Sequence, residues 1–156
     1  MQRRTPTFDT LADAVRDAEN LLATGYDRAG TWSLGQVGGH LANWLSYPLD
    51  GFPKVPLLLK PVAWLMKVTS GKRMLRNILA NGFKPGTMTV AQSVPSSTAG
   101  DADGVAKLTA AVERYLAHTG PVRPSPLFGA MTKETAERLQ RVHCAHHLSF
   151  LVPKGG

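Results

Sequence analysis

The chain has 156 residues, of which 43% are hydrophobic, so it can bury the core of one folded domain and is not a disordered chain. Its 18 Lys and Arg against 11 Asp and Glu give a net charge of +7, but these cations are scattered and lack interleaved aromatic residues, which argues against nucleic-acid binding. The single cysteine excludes an intrachain disulfide, and the first residues contain no apolar signal core, which predicts a cytoplasmic protein.

Apolar residues at helical spacing predict two long helices in the first third of the chain. The first begins near residue 7 or 9 and runs to about residue 24. The second starts at a capping box, in which the Ser33 hydroxyl accepts a backbone N–H and the Gln36 side chain reaches back. Three glycines near its start would let another helix or a ligand approach closely. His40 lies on or beside the apolar face of this helix.

Proline and glycine interrupt the helical pattern in the middle of the chain. The pattern breaks at Pro48, and a short helical insertion follows at about residues 53–80, with Ser70 and Gly71 as its hinge. Its two helical pieces are predicted at residues 57–68 and 72–79. Residues 81–100 are rich in Gly, Pro, Ser and Thr, which predicts a long crossover loop.

Two further long helices are predicted after the crossover. The third main helix runs from about Asp101 to His118, and the fourth begins at a cap on Thr132 and runs to about Leu151. No strand pattern and no internal repeat is evident. Four main helices with a long crossover predict an all-α four-helix bundle that forms a single domain over residues 1–156.

Two histidines one helical turn apart are the strongest functional signal. His143 and His147 lie at positions i and i+4 of the last helix, so they share one face, with Cβ atoms about 5–6 Å apart. His40 lies on the apolar face of another helix, and the three imidazoles could converge on one metal ion. Burying three imidazoles costs free energy unless each has a partner. Three nitrogens with an open position are typical of a catalytic metal site.

Neighbouring residues leave several roles open. His146 can replace His147 as a ligand because positions i and i+3 also share a face, or it can support a ligand, act as an acid or base, or lie in the core. Cys144 is rotated about 100° from His143 and is predicted to be a core residue. The sequence contains no Cys-x-x-Cys, nucleophile elbow, phosphate loop or dinucleotide fingerprint, so catalytic residues stay unassigned.

A helix that opens with Trp-Ser-Leu-Gly-Gln and carries His40, followed by a final helix with His143-x-x-x-His147, resembles the DinB-like (YfiT-like) four-helix bundle superfamily. The resemblance covers nearly the whole chain, and five motifs resemble one bacterial subfamily described only as a domain of unknown function. These motifs are Phe8-Asp-Thr-Leu, Trp32-Ser-Leu-Gly-Gln-Val-Gly-Gly-His40, Asp50-Gly-Phe-Pro53, Pro126-Leu-Phe-Gly129 and His146-His147-Leu-Ser-Phe-Leu151. The superfamily resemblance implies that His40, His143 and His147 bind a divalent metal. Zn or Ni is the first expectation and Fe or Mn the next, since imidazole suits several of these metals.

Members of the superfamily with assigned activities are thiol-dependent S-transferases and isomerases that use bacillithiol, mycothiol or glutathione-like cosubstrates, and others are named as metal-dependent hydrolases. The resemblance therefore implies a metal-dependent transferase or hydrolase with a small-molecule substrate and a low-molecular-weight thiol. In the wider superfamily Arg-Gly-Gln often follows the last histidine, whereas Leu148-Ser-Phe150 follows here. The cations Lys67, Lys72 and Arg73 are candidates to bind the carboxylates of such a thiol.

Two other functions stay open at the level of sequence. One is a non-catalytic small-molecule-binding or stress-response module, in which the histidines form a structural network or hold a metal that only stabilises the fold. The other is an interaction module that uses the apolar, cationic stretch at residues 55–76 on a membrane surface or as a homodimer interface. A membrane span is not expected, because Lys60 and Pro61 interrupt the most apolar stretch, which is also too short.

Overall fold

Helices dominate the structure, a computed structural model that describes residues 2–86, 93, 96 and 98–154. In chain order the helices are α1 (Leu11–Thr24), α2 (Leu34–Asp50), α3 (Lys60–Met66), α4 (Lys72–Asn81), α5 (Asp101–Ala117) and α6 (Lys133–Leu148). Two short strands also pair antiparallel, and they are β1 (Tyr26–Arg28) and β2 (Leu151–Pro153). The expectation of a chain without strands is therefore wrong, because strands of three residues are too short to produce a recognisable alternation.

The starts of α1 and α2 are each fixed by a capping box. The box predicted at Ser33 is confirmed, because the backbone N–H of Gln36 donates to Ser33 Oγ at 3.2 Å and the backbone N–H of Ser33 donates to Gln36 Oε1 at 3.1 Å. Thr10 and Asp13 form the same arrangement before α1. α1 therefore begins at Leu11, a little later than its apolar periodicity indicates.

Four helices, α1, α2, α5 and α6, pack around one hydrophobic core. α2 and α5 approach most closely, because glycines lie where they cross. A Cβ atom on Gly38 would overlap the backbone of Gly104, and a Cβ atom on Gly35 would overlap the backbone of Gly100. The glycines at the start of α2 thus serve contact with another helix. The large side chains that are fully buried include Tyr115, Leu11, Leu21, Leu34, Leu41, Leu45, Leu108, Leu148 and Leu151.

α2 continues through Pro48 to Asp50, so the predicted break at this proline is wrong. Proline has no backbone N–H, which leaves the carbonyl oxygen of Trp44 without its helical partner. The side chain of Gln140 on α6 replaces that partner, because its Nε2 donates to the Trp44 carbonyl oxygen at 3.0 Å. The proline is therefore accommodated by a hydrogen bond that also ties α6 to α2.

The last helix ends earlier than expected. It begins at the predicted cap, where Thr132 Oγ1 accepts a backbone N–H of the first turn at 3.1 Å. It ends at Leu148 rather than near Leu151, and the chain continues into β2. The guanidinium of Arg4 donates to the carbonyl oxygens of Leu148 and Leu151 and to the carboxylate of Asp17. The N-terminal residues therefore pack against the end of α6.

The insertion is a continuous helical stretch. A 3₁₀ turn (Leu57–Leu59) leads into α3, and a π-helical turn (Lys67–Gly71) joins α3 to α4. The two predicted pieces correspond to α3 and α4, and the predicted hinge at Ser70 and Gly71 falls in this π-helical turn, which keeps the chain helical. Gly71 is buried against the carbonyl oxygen of Leu127, where a Cβ atom would clash, so this glycine serves close packing and not a break in the helix.

The predicted crossover loop at residues 81–100 is described only in part. α4 ends at Asn81 and α5 begins at Asp101, while most of the segment from residue 87 to residue 97 lies outside the described residues. Across the ranges that are described, none of the helices has both the length and the apolar character needed to cross a bilayer.

Replacing Gln140 by Leu should lower the free energy of unfolding by about 1–3 kcal/mol, because the Trp44 carbonyl oxygen loses the side-chain donor that replaces its helical partner. The same replacement should cost less in a Pro48→Ala background, where the new backbone N–H can donate to that carbonyl. Urea unfolding of the wild type, both single variants and the double variant measures the difference. An equal cost in both backgrounds would contradict this role of Gln140.

Candidate metal centre

The three histidines identified in the sequence come together between α2 and α6. His40 lies on α2, and His143 and His147 lie in the last two turns of α6. One ring nitrogen of each lies within 4.8 Å of the corresponding nitrogens of the other two. His40 and His143 are buried, and His147 is half-buried. The fold therefore brings together the side chains on which the sequence-based metal site rests.

A hydrogen bond to the crossover fixes the ring of His40. Its Nδ1 lies 2.9 Å from the carbonyl oxygen of Ser93. Because a carbonyl oxygen only accepts, Nδ1 carries the proton, and Nε2 of the neutral ring has a free lone pair. The Nε2 of His143 lies 3.3 Å from this Nε2. A backbone carbonyl on the far nitrogen is a common support for metal-binding histidines, since it sets both the tautomer and the ring orientation.

The spacing of these two nitrogens suits a shared metal ion. Two imidazole nitrogens that bind tetrahedral zinc at about 2.0–2.1 Å lie about 3.3–3.4 Å from each other. The distance of 3.3 Å between His40 Nε2 and His143 Nε2 matches this separation. Without a metal, the same distance lets the Nε2–H of His143 donate to the lone pair of His40 Nε2. The donor set of three imidazoles also suits zinc, nickel, iron or copper.

Burial keeps all three rings neutral near pH 7. It lowers the pKa of His40 to about 4, although the hydrogen bond to Ser93 opposes the shift. Burial first, and then the charges of His40 and His146, lower the pKa of His147 to about 2. Burial also holds the pKa of His143 well below its usual range, with the neighbouring histidines as the second cause. Neutral imidazole is the form that binds metals, so the site needs no proton release at pH 7.

Aromatic side chains enclose the histidine rings. Trp32 stacks on His147, with 5.4 Å between ring centroids and 7° between ring planes. Trp44 and Phe83 approach His143 from two directions, with centroid distances of 5.4 and 5.3 Å. These contacts hold the imidazoles in position and surround them with apolar surface.

Sequence reasoning did not identify the residues around the histidines. Trp44 lies four positions after His40, so helical spacing alone could have assigned it to the site. Trp32 entered the sequence analysis only as part of a motif before α2, yet it contacts two of the three histidines. Phe83 and Ser93 belong to the crossover, and no local pattern predicts which part of a loop will reach a distant helix.

His146 lies beside the three histidines and outside their group. Its ring centroid is 4.9 Å from that of His147, but its nitrogens do not complete a metal-sized cluster within the described part of the chain. Its Nδ1 is buried and has no hydrogen-bond partner among the described residues. Burial first, and the charge of Arg3 second, lower its pKa. The geometry therefore favours His147 over His146 as the third ligand.

Two cavities share His146 as a wall, and one of them also reaches the three-histidine group. The first, named the tryptophan cavity, has a volume of about 330 Å³ and reaches His147. Its other large lining side chains are Trp32, Val37 and Phe150. The second, named the arginine cavity, has a volume of about 400 Å³ and is lined by four guanidinium groups. They belong to Arg3, Arg4, Arg138 and Arg141. Both volumes suit small molecules.

The arginine cavity carries positive charge that its own lining does not neutralise. Arg4 is paired with Asp17, with 2.7 Å between Nη1 and Oδ1. Arg138 and Arg141 instead donate to backbone carbonyl oxygens. No carboxylate lines this cavity among the residues that the structure describes. An anionic group would therefore be favoured there.

Other residues considered in the sequence lie elsewhere. Lys67, Lys72 and Arg73 are exposed, and none of them is among the lining residues of either cavity. Cys144 is confirmed as a core residue, because it is fully buried and burial raises the pKa of its thiol to about 12. A thiol that stays protonated at pH 7 is a poor nucleophile, so Cys144 contributes packing and no chemistry.

A family model described as "Protein of unknown function (DUF1569)" matches residues 1–154. The chain belongs to this family. The expectation of a domain of unknown function is thereby confirmed, and the description assigns no reaction. No curated protein and no solved structure matches the chain. The function of this DUF1569 member must therefore be inferred from the chemistry of the site.

Metal-free protein should lose stability as the pH falls from about 6.5 towards 4. An unfolded histidine has a pKa near 6.5, whereas the pKa of folded His40 is about 4, so the unfolded state takes up protons first and acid favours unfolding. His143 and His147 shift in the same direction and add to the effect. Urea unfolding in a chelator at pH 8, 7, 6 and 5 measures the slope.

The control for this experiment is His118→Ala, which removes a histidine whose Nε2 lies 3.3 Å from the Pro121 carbonyl oxygen and which is not part of the three-histidine group. Its pH dependence should match that of the wild type. A wild-type stability that is flat between pH 7 and pH 5 would contradict the burial of neutral imidazoles.

Proposed function

We propose that this chain is a metal-dependent enzyme of the DinB-like type, a single four-helix bundle domain over residues 1–156 with an insertion at about 53–80. His40, His143 and His147 would hold one divalent ion and leave a coordination position open. The observation that carries the proposal is the pair of imidazoles with Nε2 atoms 3.3 Å apart and a third ring beside them. Zinc or nickel is the first candidate, with iron or manganese next.

Three protein ligands favour a reactive ion over a merely stabilising one. Structural zinc sites are usually closed by four protein ligands, whereas catalytic sites keep one position for substrate or water. The three-histidine group adjoins a cavity through His147, so a small molecule can reach it. When bound, the ion would lower the pKa of a thiol or water and supply a nucleophile near neutral pH. These features speak against a module that only binds metal for stability.

The two cavities favour a thiol-dependent transferase over a hydrolase. The tryptophan cavity offers apolar surface beside His147 for an electrophilic substrate. The arginine cavity offers guanidinium groups for the carboxylates of a low-molecular-weight thiol. In the transfer, the thiol sulfur would bond to the electrophilic carbon as the leaving group departs with its electron pair and the thiol proton passes to solvent. A hydrolase would need no binding site for a second, anionic molecule.

Protein purified without a histidine tag and loaded with zinc should contain about one ion per chain, and His143→Ala should lose it. The matched control His118→Ala should keep the ion, because His118 lies outside the three-histidine group. Elemental analysis measures the zinc content per chain. Zinc should raise the melting temperature of the wild type and of His118→Ala, but not that of His143→Ala. Absence of zinc from all three proteins would contradict the metal centre.

Arg138→Gln should raise KM for glutathione by about 10- to 100-fold in transfer to 1-chloro-2,4-dinitrobenzene by the zinc-loaded protein, with kcat little changed. A charge-assisted hydrogen bond to the thiol carboxylate would be lost, worth about 1.5–3 kcal/mol. Arg73→Gln removes the same charge from the exposed insertion and should leave KM unchanged. A larger effect of Arg73→Gln would instead place the thiol carboxylates at the insertion.

A further inference from the structure

The start of the insertion exposes an unusual amount of apolar surface. The apolar segment, defined as residues 57–68, contains no buried side chain. Leu58 is 90% exposed, Leu57 76% and Trp64 63%. Its other exposed large apolar side chains are Leu59, Val62, Leu65, Met66 and Val68. Contiguous patches of this kind on a soluble protein usually mark a site that another molecule covers.

All side chains of the apolar segment but one are exposed, so the segment lies on the surface of the protein. Leu58, Val62 and Leu65 follow helical spacing, so they form one stripe. Lys67, near the end of the segment, is exposed and passes close to Gly129, where an added Cβ atom would come within 3.9 Å of its Cε. Just beyond, Gly71 packs on the backbone of Leu127. No residue of the stripe belongs to the hydrophobic core.

Positive charge surrounds the apolar segment. Residues 51–100 contain no Asp or Glu. Their cations are Lys54, Lys60, Lys67, Lys72, Arg73, Arg76 and Lys84. The first six form no ion pair with any carboxylate in the described residues. The combination of exposed Leu and Trp with unpaired Lys and Arg is the pattern of helices that lie in the interface of an anionic membrane.

We propose that the apolar segment docks this protein on the surface of an anionic lipid bilayer. The leucines and Trp64 would enter the interface, where tryptophan is favoured, while the flanking cations contact lipid headgroups. The segment cannot span the membrane, because 12 helical residues reach about 18 Å against a hydrocarbon core of about 30 Å. A symmetric contact with a second copy is disfavoured, since it would bring identical unpaired cations together. The proposal is independent of the metal centre.

Flotation with vesicles tests the docking on the full chain. The protein should float with vesicles of 70% phosphatidylcholine and 30% phosphatidylglycerol and remain unbound with pure phosphatidylcholine. Lys60→Gln and Lys67→Gln should each weaken binding about fivefold, the effect expected of one cation near such a surface. Equal binding to both vesicle types, or none to either, would overturn the proposal.

Two matched double variants test whether vesicle binding depends on the apolar segment or on exposed leucines anywhere on the protein. Leu58→Glu with Leu65→Glu should abolish vesicle binding and leave the melting temperature unchanged, because neither side chain is buried. Leu22→Glu with Leu116→Glu alters two exposed leucines of the bundle, at 41% and 45% exposure, and should bind as the wild type does. Loss of binding in both double variants would overturn the assignment of the segment.

The fluorescence of Trp64 provides a direct test of whether the segment inserts into the bilayer. Vesicles should shift the tryptophan emission of the wild type to shorter wavelength, and Trp64→Phe should remove this shift, since Trp32 and Trp44 are already half-buried. Sedimentation without lipid provides the remaining check. A dimer that Leu58→Glu with Leu65→Glu dissociates, together with no vesicle binding, would show that a second copy covers the segment.

Discussion

The hydrogen bond between His40 Nδ1 and the Ser93 carbonyl is the contact on which the site depends. It ties the crossover to α2, selects the tautomer and leaves Nε2 with its lone pair towards α6. Without it, a ring buried in apolar surroundings would lack a partner for its N–H. The same contact explains how a histidine can occupy a place where a leucine would otherwise complete the core.

α2 is the helix that connects this contact to the rest of the fold. One side touches α5 backbone to backbone through glycine, and another presents His40 and Trp44 to α6. The amide of Gln140 spans the same gap, since Pro48 frees a carbonyl oxygen for it. Pro48 thus leaves the Trp44 carbonyl oxygen free to accept a hydrogen bond from Gln140 on α6. This hydrogen bond helps to hold the histidines of the two helices opposite each other.

Structural features that depend on residues close in sequence could be predicted, whereas features that depend on contacts between distant residues could not. The spacing of His143 and His147 and the caps at Ser33 and Thr132 follow from helical geometry alone. The convergence of His40 on them rested on its apolar face and on a family resemblance. Three features depend on residues that are distant in sequence, so the hydrophobic periodicity could not predict them. They are the continuation of α2 through Pro48, the pairing of the two short strands and the arginine cavity.

The order of these elements along the chain has a consequence for how the protein is made. Synthesis proceeds from the N-terminus, so His40 leaves the ribosome long before His143 and His147. The three-histidine group and the arginine cavity cannot assemble until α6 has been made, because both draw on that helix and the cavity also needs Arg3 and Arg4. Residues 57–68 emerge earlier, with their leucines already uncovered, and can meet other surfaces before the bundle is complete.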